Sequence, residues 1–155
     1  MRKLFNFLHS VRKWYWRTFN VRTFGVRAIV IKDGDFLLVK HRYGDYWVFP
    51  GGGLKKGEDI RRACAREILE ETGIGITEFE RTLGKYENTS GGKNDIVTVL
   101  VAGQWEIVKK TNWSLEIKEQ RFFCVDELPR ETSPATMRRI KEYLSGERGE
   151  FSEKW

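Results

Sequence analysis

The sequence is poor in cysteine and has no long hydrophobic run. Its two cysteines, Cys64 and Cys124, lie far apart without a Cys-x-x-Cys pair, which argues against a zinc site and against a disulfide framework. We therefore expect two buried free thiols in a reducing compartment, which favours a cytoplasmic location. No apolar stretch approaches the ~20 residues that a membrane-spanning helix needs. Charged and aromatic residues interrupt the N-terminus too often for a secretory signal peptide.

Acidic residues are absent from the first 32 positions. These positions hold eight Lys or Arg, whereas the whole chain of 155 residues has 28 basic and 22 acidic side chains and a net charge of +6. The remainder is therefore slightly acidic, and the positive charge belongs to the N-terminus. Net charge is consequently a poor argument for nucleic-acid binding, and we expect no specific nucleic-acid partner.

The basic segment 2–19 has apolar residues at helical spacing and is rich in aromatic residues. This pattern predicts a basic amphipathic helix. Three roles remain open for it: packing on the domain or on a second copy of the chain, peripheral contact with an anionic membrane, or contact with RNA. We assign residues 1–20 to this helix, 21–146 to one globular domain and 147–155 to a flexible tail.

Short apolar runs between turn residues predict a mixed β-sheet. The predicted strands cover residues 24–32, 35–40, 46–49, 78–87, 95–102 (extending to about 106) and 118–125. Asp33-Gly34 indicates a hairpin, because both central residues of a type I′ turn need positive φ. Ser133 can cap a last helix that Gly146 ends. The apolar face of this helix is expected at Met137, Ile140, Tyr143 and Leu144. The pattern indicates an α/β sandwich of mixed strands.

A glutamate-rich helix follows a glycine run in the middle of the chain. We expect it to start near Glu58, with Glu58 and Asp59 in its first turn, and to end at Gly73. Helical spacing of i, i+3 and i+4 places Glu67, Glu70 and Glu71 on one arc. The neighbouring arc is apolar and can be buried; it holds Cys64, Ala65, Ile68 and Leu69. The acids therefore face a cleft beside the core.

Carboxylates at these spacings repel one another unless a cation lies between them. Mg²⁺ prefers oxygen ligands and would relieve the repulsion, and Arg66 could orient one of the glutamates. The glycines at 51–53 let the backbone approach a ligand, with carbonyls available to a cation and N–H groups to phosphate. A solvated acidic helix face is the alternative. The combination favours metal-assisted hydrolysis of a diphosphate bond.

These residues resemble the signature of the Nudix hydrolase family. The match runs through Gly52, Glu58, Arg66-Glu67-Ile68, Glu70-Glu71 and Gly73-Ile74, with no departure at a signature position. The resemblance covers about residues 24–145 and implies the Nudix fold, an α/β/α sandwich. It further implies hydrolysis of a nucleoside diphosphate linked to another moiety, by water attack on phosphorus with Mg²⁺ or Mn²⁺.

The resemblance also implies roles for individual residues. Glu67, Glu70 and Glu71 would bind the metal together with the carbonyl of Gly52. Arg66 would orient Glu67. Glu58 would support the helix.

The general base varies within this family, so its assignment stays open between a signature glutamate and a later one. Glu119 is the leading late candidate, ahead of Glu116 and Asp95. We therefore expect Glu71, Glu70, Arg66 and Glu119 to be the catalytic residues. Further residues could contact phosphate or a base, or lie on the surface or in the core: His41, Arg42, Tyr43, Tyr46, Trp47, Lys55 and Lys56.

The substrate is left open by the sequence. The family's ADP-ribose group tends to have a proline after the signature, but no proline lies between Pro50 and Pro129. The marks of the diadenosine polyphosphate and coenzyme A groups are absent as well. A nucleoside triphosphate, a nucleotide sugar or a dinucleotide all remain. The alternatives are an RNA 5′-end pyrophosphohydrolase and a non-catalytic Nudix-fold domain that binds nucleotides.

Overall fold

The computed structural model describes residues 22–88, 94–108, 115–146 and 153–155. The predicted helix 2–19 lies outside these residues. Within the described ranges, no helix has both the length and the apolar character needed to cross a membrane.

In the described residues, strands alternate with two α-helices. In chain order the elements are β1 (Arg22–Ile29), β2 (Ile31–Lys32), β3 (Asp35–His41), β4 (Trp47–Val48), α1 (Ile60–Thr72), β5 (Ile74–Asn88), β6 (Asn94–Ile107), β7 (Ile117–Phe123), α2 (Pro134–Ser145) and β8 (Glu153–Lys154). A short 3₁₀ turn, Val125–Glu127, precedes α2.

The strands form two sheets, of which the first is mixed and the second antiparallel. One has the order β1-β6-β5-β8, with β1 parallel to β6 and β5 antiparallel to β6. In the other, β3 pairs antiparallel with β2, β4 and β7. The predicted strand 24–32 is therefore divided at Val30, because its first part pairs with β6 whereas its last two residues fold back on β3.

Two buried clusters place a helix on each side of the strands. Leu37 of β3 packs with Ala63, Cys64 and Ile68 of α1. Its neighbours Phe36 and Leu38 pack instead with Ile140 of α2. This alternation follows from the period of two in an extended chain. The α/β/α arrangement predicted from the sequence is confirmed.

The predicted hairpin turn is present. Asp33 and Gly34 both have positive φ, at 52° and 91°. The flanking pairs are Ile31 with Phe36 and Lys32 with Asp35. The Asp-Gly signal thus fixed the register of β2 on β3.

Helix α1 begins later than predicted. Its first residue is Ile60, and the Asp59 carboxylate accepts hydrogen bonds from the backbone N–H groups of Arg61 and Arg62. Placing Glu58 and Asp59 in the first turn was therefore wrong, because Asp59 is the N-cap and Glu58 precedes the helix. Gly73 ends the helix as predicted, with φ 73° and its N–H bonded to the Leu69 carbonyl.

Helix α2 has the predicted ends and a partly different buried face. Ser133 accepts from the Thr136 N–H, and Gly146 ends the helix at φ 71°. Leu144 was predicted to be buried but is 54% exposed. The buried positions include an ion pair instead, Arg139 with Glu142, at 2.7 Å. The Tyr86 hydroxyl donates to the same glutamate at 2.6 Å.

The last three residues contact β5. Glu153 and Lys154 pair with it in parallel, and the Trp155 N–H donates to the Glu87 carbonyl at 2.8 Å. The flexibility of the segment 147–155 stays a prediction. Of the two cysteines, Cys64 is buried as predicted and Cys124 is only half-buried.

Candidate active site

Helix α1 places two glutamates against the glycine segment 51–53. Glu71 is 6% exposed, and its Oε2 accepts the Gly51 N–H at 2.8 Å. A Cβ added to Gly52 would lie 2.3 Å from Glu67 Oε2. The Glu67 carboxylate therefore occupies the space that any other side chain at position 52 would need.

The glycine segment lies along β1, which holds it in place. The Val26 N–H donates to the Gly52 carbonyl at 2.9 Å, and the Ala28 N–H donates to the Pro50 carbonyl at 3.0 Å. Gly51 has φ 138°, and a Cβ there would lie 2.2 Å from the Val26 carbonyl oxygen. Only glycine fits this close approach of two backbone segments.

Arg27 adds a cation to the same contact. Its guanidinium donates to the Phe49 carbonyl at 3.3 Å and also to the Gly51 carbonyl. Arg27 was not among the residues predicted for the site. The one signal for it was a basic residue between two apolar positions of a strand, Val26 and Ala28, where a half-buried charge needs partners.

Arg66 gathers three glutamates around one guanidinium. Its Nε and Nη2 contact the two Glu58 carboxylate oxygens at 2.8 and 2.9 Å. Its Nη1 contacts Glu67 at 2.7 Å and Glu70 at 3.4 Å. The hydrogen bond from Arg66, together with one from the Lys55 N–H, lowers the pKa of Glu58 to about 2. Arg66 thus ties the chain before α1 to the glutamates on it.

Glu71 has a strongly raised pKa. Burial is the main cause and raises the pKa to about 7, with Glu67 and Glu116 adding negative potential. Arg27 and the Gly51 N–H act in the opposite direction and favour the charged form. A buried carboxylate with a raised pKa in a cleft is a candidate functional group, and a nearby cation would restore its charge.

His41 lies at the end of β3, next to Glu71. Its Nε2 is 3.9 Å from Glu71 Oε1. Burial, followed by the charge of Arg27, lowers the pKa of His41 to about 4. The ring is therefore neutral at pH 7, and its contact with Glu71 is not an ion pair. The Tyr43 ring stacks on it, with centroids 5.0 Å apart and an interplanar angle of 24°.

The predicted metal ligands are partly brought together. Among the described residues, no three His, Cys, Asp or Glu side chains are already grouped around one point. Glu67 and Glu71 both face the glycine segment, whereas the Glu70 side chain is 59% exposed and turned to Arg66. The donor set of carboxylates and a backbone carbonyl is nevertheless the one that Mg²⁺ and Mn²⁺ prefer. In its chemistry the site fits a hard divalent cation.

Glu119 is not brought to this site. Its neighbour Gln120 points toward α1 and donates to the Thr72 carbonyl at 3.1 Å. Successive side chains of a strand point to opposite faces, so Glu119 lies on the face of β7 away from α1. It lies opposite Lys40 of β3. Glu119 also forms an ion pair with Lys118 at 3.4 Å.

The weaker late candidates have different positions. Glu116 is near enough to Glu71 to raise the pKa of that carboxyl. Its carbonyl accepts the Arg42 N–H at 2.8 Å, which holds the start of β7 beside the end of β3. Asp95 accepts a hydrogen bond from the Thr23 hydroxyl instead and joins β6 to β1.

The other residues predicted to contact phosphate or a base differ in their exposure. Trp47 is buried and packs edge-on against Phe123, with centroids 4.9 Å apart, so it is a core residue. Tyr43 and Tyr46 are 50% and 57% exposed. Lys55 and Lys56 are exposed just after the glycine segment.

Comparison with known proteins gives matches over most of the chain. A family model described as the NUDIX domain matches residues 21–144. Diphosphoinositol polyphosphate phosphohydrolase 2 of Rattus norvegicus is 32% identical over 111 residues, covering 63% of this chain and 62% of that protein. An ADP-ribose pyrophosphatase of Methanocaldococcus jannaschii is 31% identical over 108 residues, covering 68% and 63% respectively. The match thus spans about three fifths of the length of these relatives.

A similar fold is found among solved structures. A NUDIX hydrolase from Nitrosomonas europaea superposes with a TM-score of 0.73 at 28% identity, covering 83% of this chain and 92% of that chain.

Proposed function

The chain belongs to the Nudix family, and from this premise we propose that it is a divalent-metal-dependent hydrolase that cleaves a diphosphate linkage in a nucleoside diphosphate derivative. The observation that supports this proposal best is the buried Glu71 carboxylate. It faces Glu67 at a glycine segment whose backbone permits close approach of a ligand. Burying a carboxylate costs free energy unless its charge is paired or coordinates a metal ion.

Four groups would hold the cation. They are the carboxylates of Glu67, Glu70 and Glu71 and the carbonyl of Gly52, with Mg²⁺ or Mn²⁺ as the ion. The Gly52 oxygen already accepts one hydrogen bond, from the Val26 N–H, and retains a second lone pair. When bound, the cation would neutralise phosphate charge and lower the pKa of the attacking water.

Arg66 and Glu58 would keep this ligand set in place. Arg66 bonds Glu67 and both oxygens of Glu58, so the Glu67 side chain is fixed before a cation arrives. Holding a ligand in its binding geometry reduces the conformational entropy that binding costs. Lys55 and Lys56, exposed beside the glycine segment, would attract an anionic substrate.

For the general base we propose Glu116 in preference to Glu119. Glu116 acts electrostatically on Glu71, whereas Glu119 lies on the opposite face of β7. A base must come within about one water molecule of the proton that it removes. Glu116→Gln should therefore lower kcat by about 10²-fold or more, and Glu119→Gln should leave kcat within twofold. Equal loss in both variants would contradict this assignment.

What the relatives share supports the proposed diphosphate linkage. One relative is a phosphohydrolase of diphosphoinositol polyphosphates and another is an ADP-ribose pyrophosphatase. A diphosphate linkage is common to both substrates, while the groups on either side of it differ. We therefore infer that this chain recognises the diphosphate of its substrate.

The test is a phosphate-release screen with purified protein and Mg²⁺ or Mn²⁺. The panel comprises nucleoside triphosphates, nucleotide sugars, dinucleotides, diphosphoinositol polyphosphates and RNA 5′ ends. We expect hydrolysis of at least one small diphosphate, and its loss on addition of EDTA. Turnover of RNA ends alone would favour the RNA alternative. No turnover in the whole panel, with nucleotide binding retained, would indicate a binding domain instead.

A further inference from the structure

We propose that His41 is a positioning residue that orients Glu71 for cation binding through a hydrogen bond from its Nε2. The proposal rests on the proposed function, because it takes Glu71 to be a metal ligand. His41 lies outside the glutamate-rich segment and is 30 positions before Glu71. Three features of its surroundings support this role: where β3 places it, which nitrogen carries the proton, and what fixes its ring.

The end of β3 directs His41 toward α1. His41 follows Leu37 and Val39 at a spacing of two, and Leu37 packs against α1. The pairing of β3 with β7 shifts at this point, so that Lys40 lies opposite Glu119 and His41 lies opposite Ile117. The extra residue, Lys118, lies on β7, so the alternation along β3 continues to His41. The His41 side chain therefore lies on the same side as Leu37, where its Nε2 is 3.9 Å from Glu71 Oε1.

The surroundings of the two ring nitrogens select one tautomer. Nδ1 is buried and has no hydrogen-bond partner among the described residues. A proton on Nδ1 would therefore be a buried, unsatisfied donor, which costs free energy. A ring proton is placed better on Nε2, which faces Glu71 Oε1 at 3.9 Å. This distance exceeds a hydrogen bond by roughly 1 Å, which a side-chain rotation can close.

The two oxygens of Glu71 then have separate partners. Oε2 is held by the Gly51 N–H, and Oε1 would be held by Nε2–H of His41. Each oxygen would accept one hydrogen bond and keep a lone pair for a cation. The stacked Tyr43 ring fixes the plane of the imidazole. Hydrogen bonds of this kind orient metal ligands and commonly affect metal affinity by about 10–100-fold.

Two substitutions separate this role from simple packing. His41→Phe keeps a ring that can stack on Tyr43 but removes the Nε2–H donor. His41→Gln loses the ring but carries an amide N–H at the position of Nε2. We would measure Mn²⁺ affinity of each full-length variant by the electron paramagnetic resonance of free Mn²⁺. The thermal midpoint in EDTA is the second readout.

We expect His41→Phe to weaken Mn²⁺ binding about 10-fold while its thermal midpoint in EDTA stays equal or rises, since the unsatisfied Nδ1 is gone. His41→Gln should bind Mn²⁺ within about threefold of the unsubstituted protein, by retaining the donor. Unchanged Mn²⁺ affinity in His41→Phe, or equal weakening in both variants, would overturn the proposal. Glu71→Gln is the reference: if it binds Mn²⁺ normally, Glu71 is not a ligand, and the proposed metal site fails with it.

Discussion

Glu71 is a carboxylate among groups that change its pKa in opposite directions. Burial, Glu67 and Glu116 favour the protonated form, whereas Arg27 and the Gly51 N–H favour the charged form. Burial dominates, so without a cation the group titrates near neutral pH. A group whose pKa differs between the folded and the unfolded protein makes the free energy of unfolding depend on pH.

Glu71→Gln should change the pH dependence of stability in the metal-free protein. The pKa of Glu71 is raised from 4.5 to about 7 on folding, so its protonation stabilises the folded state fully below pH 4.5. This stabilisation is lost as the pH rises through about 7. The glutamine does not titrate, so its advantage over glutamate should grow by roughly 2 kcal/mol between pH 5 and pH 8. Urea unfolding in EDTA at both pH values measures the difference in free energy of unfolding between the variant and the unsubstituted protein. If this difference is the same at both pH values, the raised pKa of Glu71 is contradicted.

Gly52 and Gly53 are neighbouring glycines with different surroundings. A Cβ at Gly52 would lie 2.3 Å from Glu67 Oε2, whereas a Cβ at Gly53 would have nothing within 4 Å. Gly52→Ala should displace the Glu67 carboxylate and lower kcat/KM by at least about 10-fold. Gly53→Ala is the matched control and should stay within twofold. Initial rates at saturating Mg²⁺ measure both, and a similar loss in the two variants would show that loop flexibility matters instead of the Glu67 contact.

At the scale of elements, α1 determines where the acids point. Its 13 residues bury Ala63, Cys64 and Ile68 against the strands, and this orientation turns Glu67 and Glu71 toward the glycine segment. The first turn depends on the Asp59 carboxylate, which accepts hydrogen bonds from the Arg61 and Arg62 N–H groups. Two backbone donors would otherwise lack a partner.

Removing this cap should destabilise the protein without altering the chemistry of the folded site. We expect Asp59→Ala to lower the free energy of unfolding by about 1 kcal/mol. Asp59→Asn keeps an acceptor oxygen and should lose only a few tenths of a kcal/mol. Urea unfolding measures both. A loss in Asp59→Asn as large as in Asp59→Ala would mean that the charge of Asp59, and not its capping geometry, is what matters.

Local sequence patterns predicted the helices, strands and turns well because the ends of these elements depend on a few neighbouring residues. The Asp33-Gly34 turn, the Gly73 stop and the caps of α2 each depend on the conformational limits of one or two residues. The helical spacing likewise placed Glu67 and Glu71 on one side. The start of α1 was predicted early, since a run of two acids does not reveal which one is the cap.

Contacts between distant elements could not be read in the same way. Glu119 was the leading late candidate for the base because it lies just before Arg121-Phe122-Phe123, yet the alternation of β7 points it away from α1. The places of Arg27 and His41 beside Glu71 depend on how β1 and β3 pack against α1. The apolar neighbours of Arg27 in the sequence indicate a half-buried charge, but they do not show which residues that charge contacts.

At the scale of the whole molecule, the site and the basic N-terminus are separate in the sequence. The strands and the helix that carry the described site residues lie within 22–145. Five basic residues and no acidic residue lie within 1–20, ahead of β1. Such a segment suits an anionic surface or a second copy of the chain better than it suits hydrolysis.

Deletion of residues 1–20 should therefore affect association more than turnover. We expect kcat to stay within about twofold, because the deleted segment supplies no group to the proposed mechanism. Binding to vesicles containing phosphatidylserine, or the oligomeric state in gel filtration, should change instead. Loss of most activity in a truncated protein that still unfolds cooperatively would show that the segment contributes to the site.

The central claim is that Glu71 carries metal-dependent hydrolysis, and it is tested most directly by steady-state kinetics of Glu71→Gln on the best substrate of the panel. Glu78→Gln, an exposed position on β5, is the control. We expect Glu71→Gln to lower kcat by at least about 10²-fold at saturating Mg²⁺ or Mn²⁺, with the control unchanged. Turnover by Glu71→Gln within a few fold of the unsubstituted protein, or hydrolysis that persists in EDTA, would contradict the account.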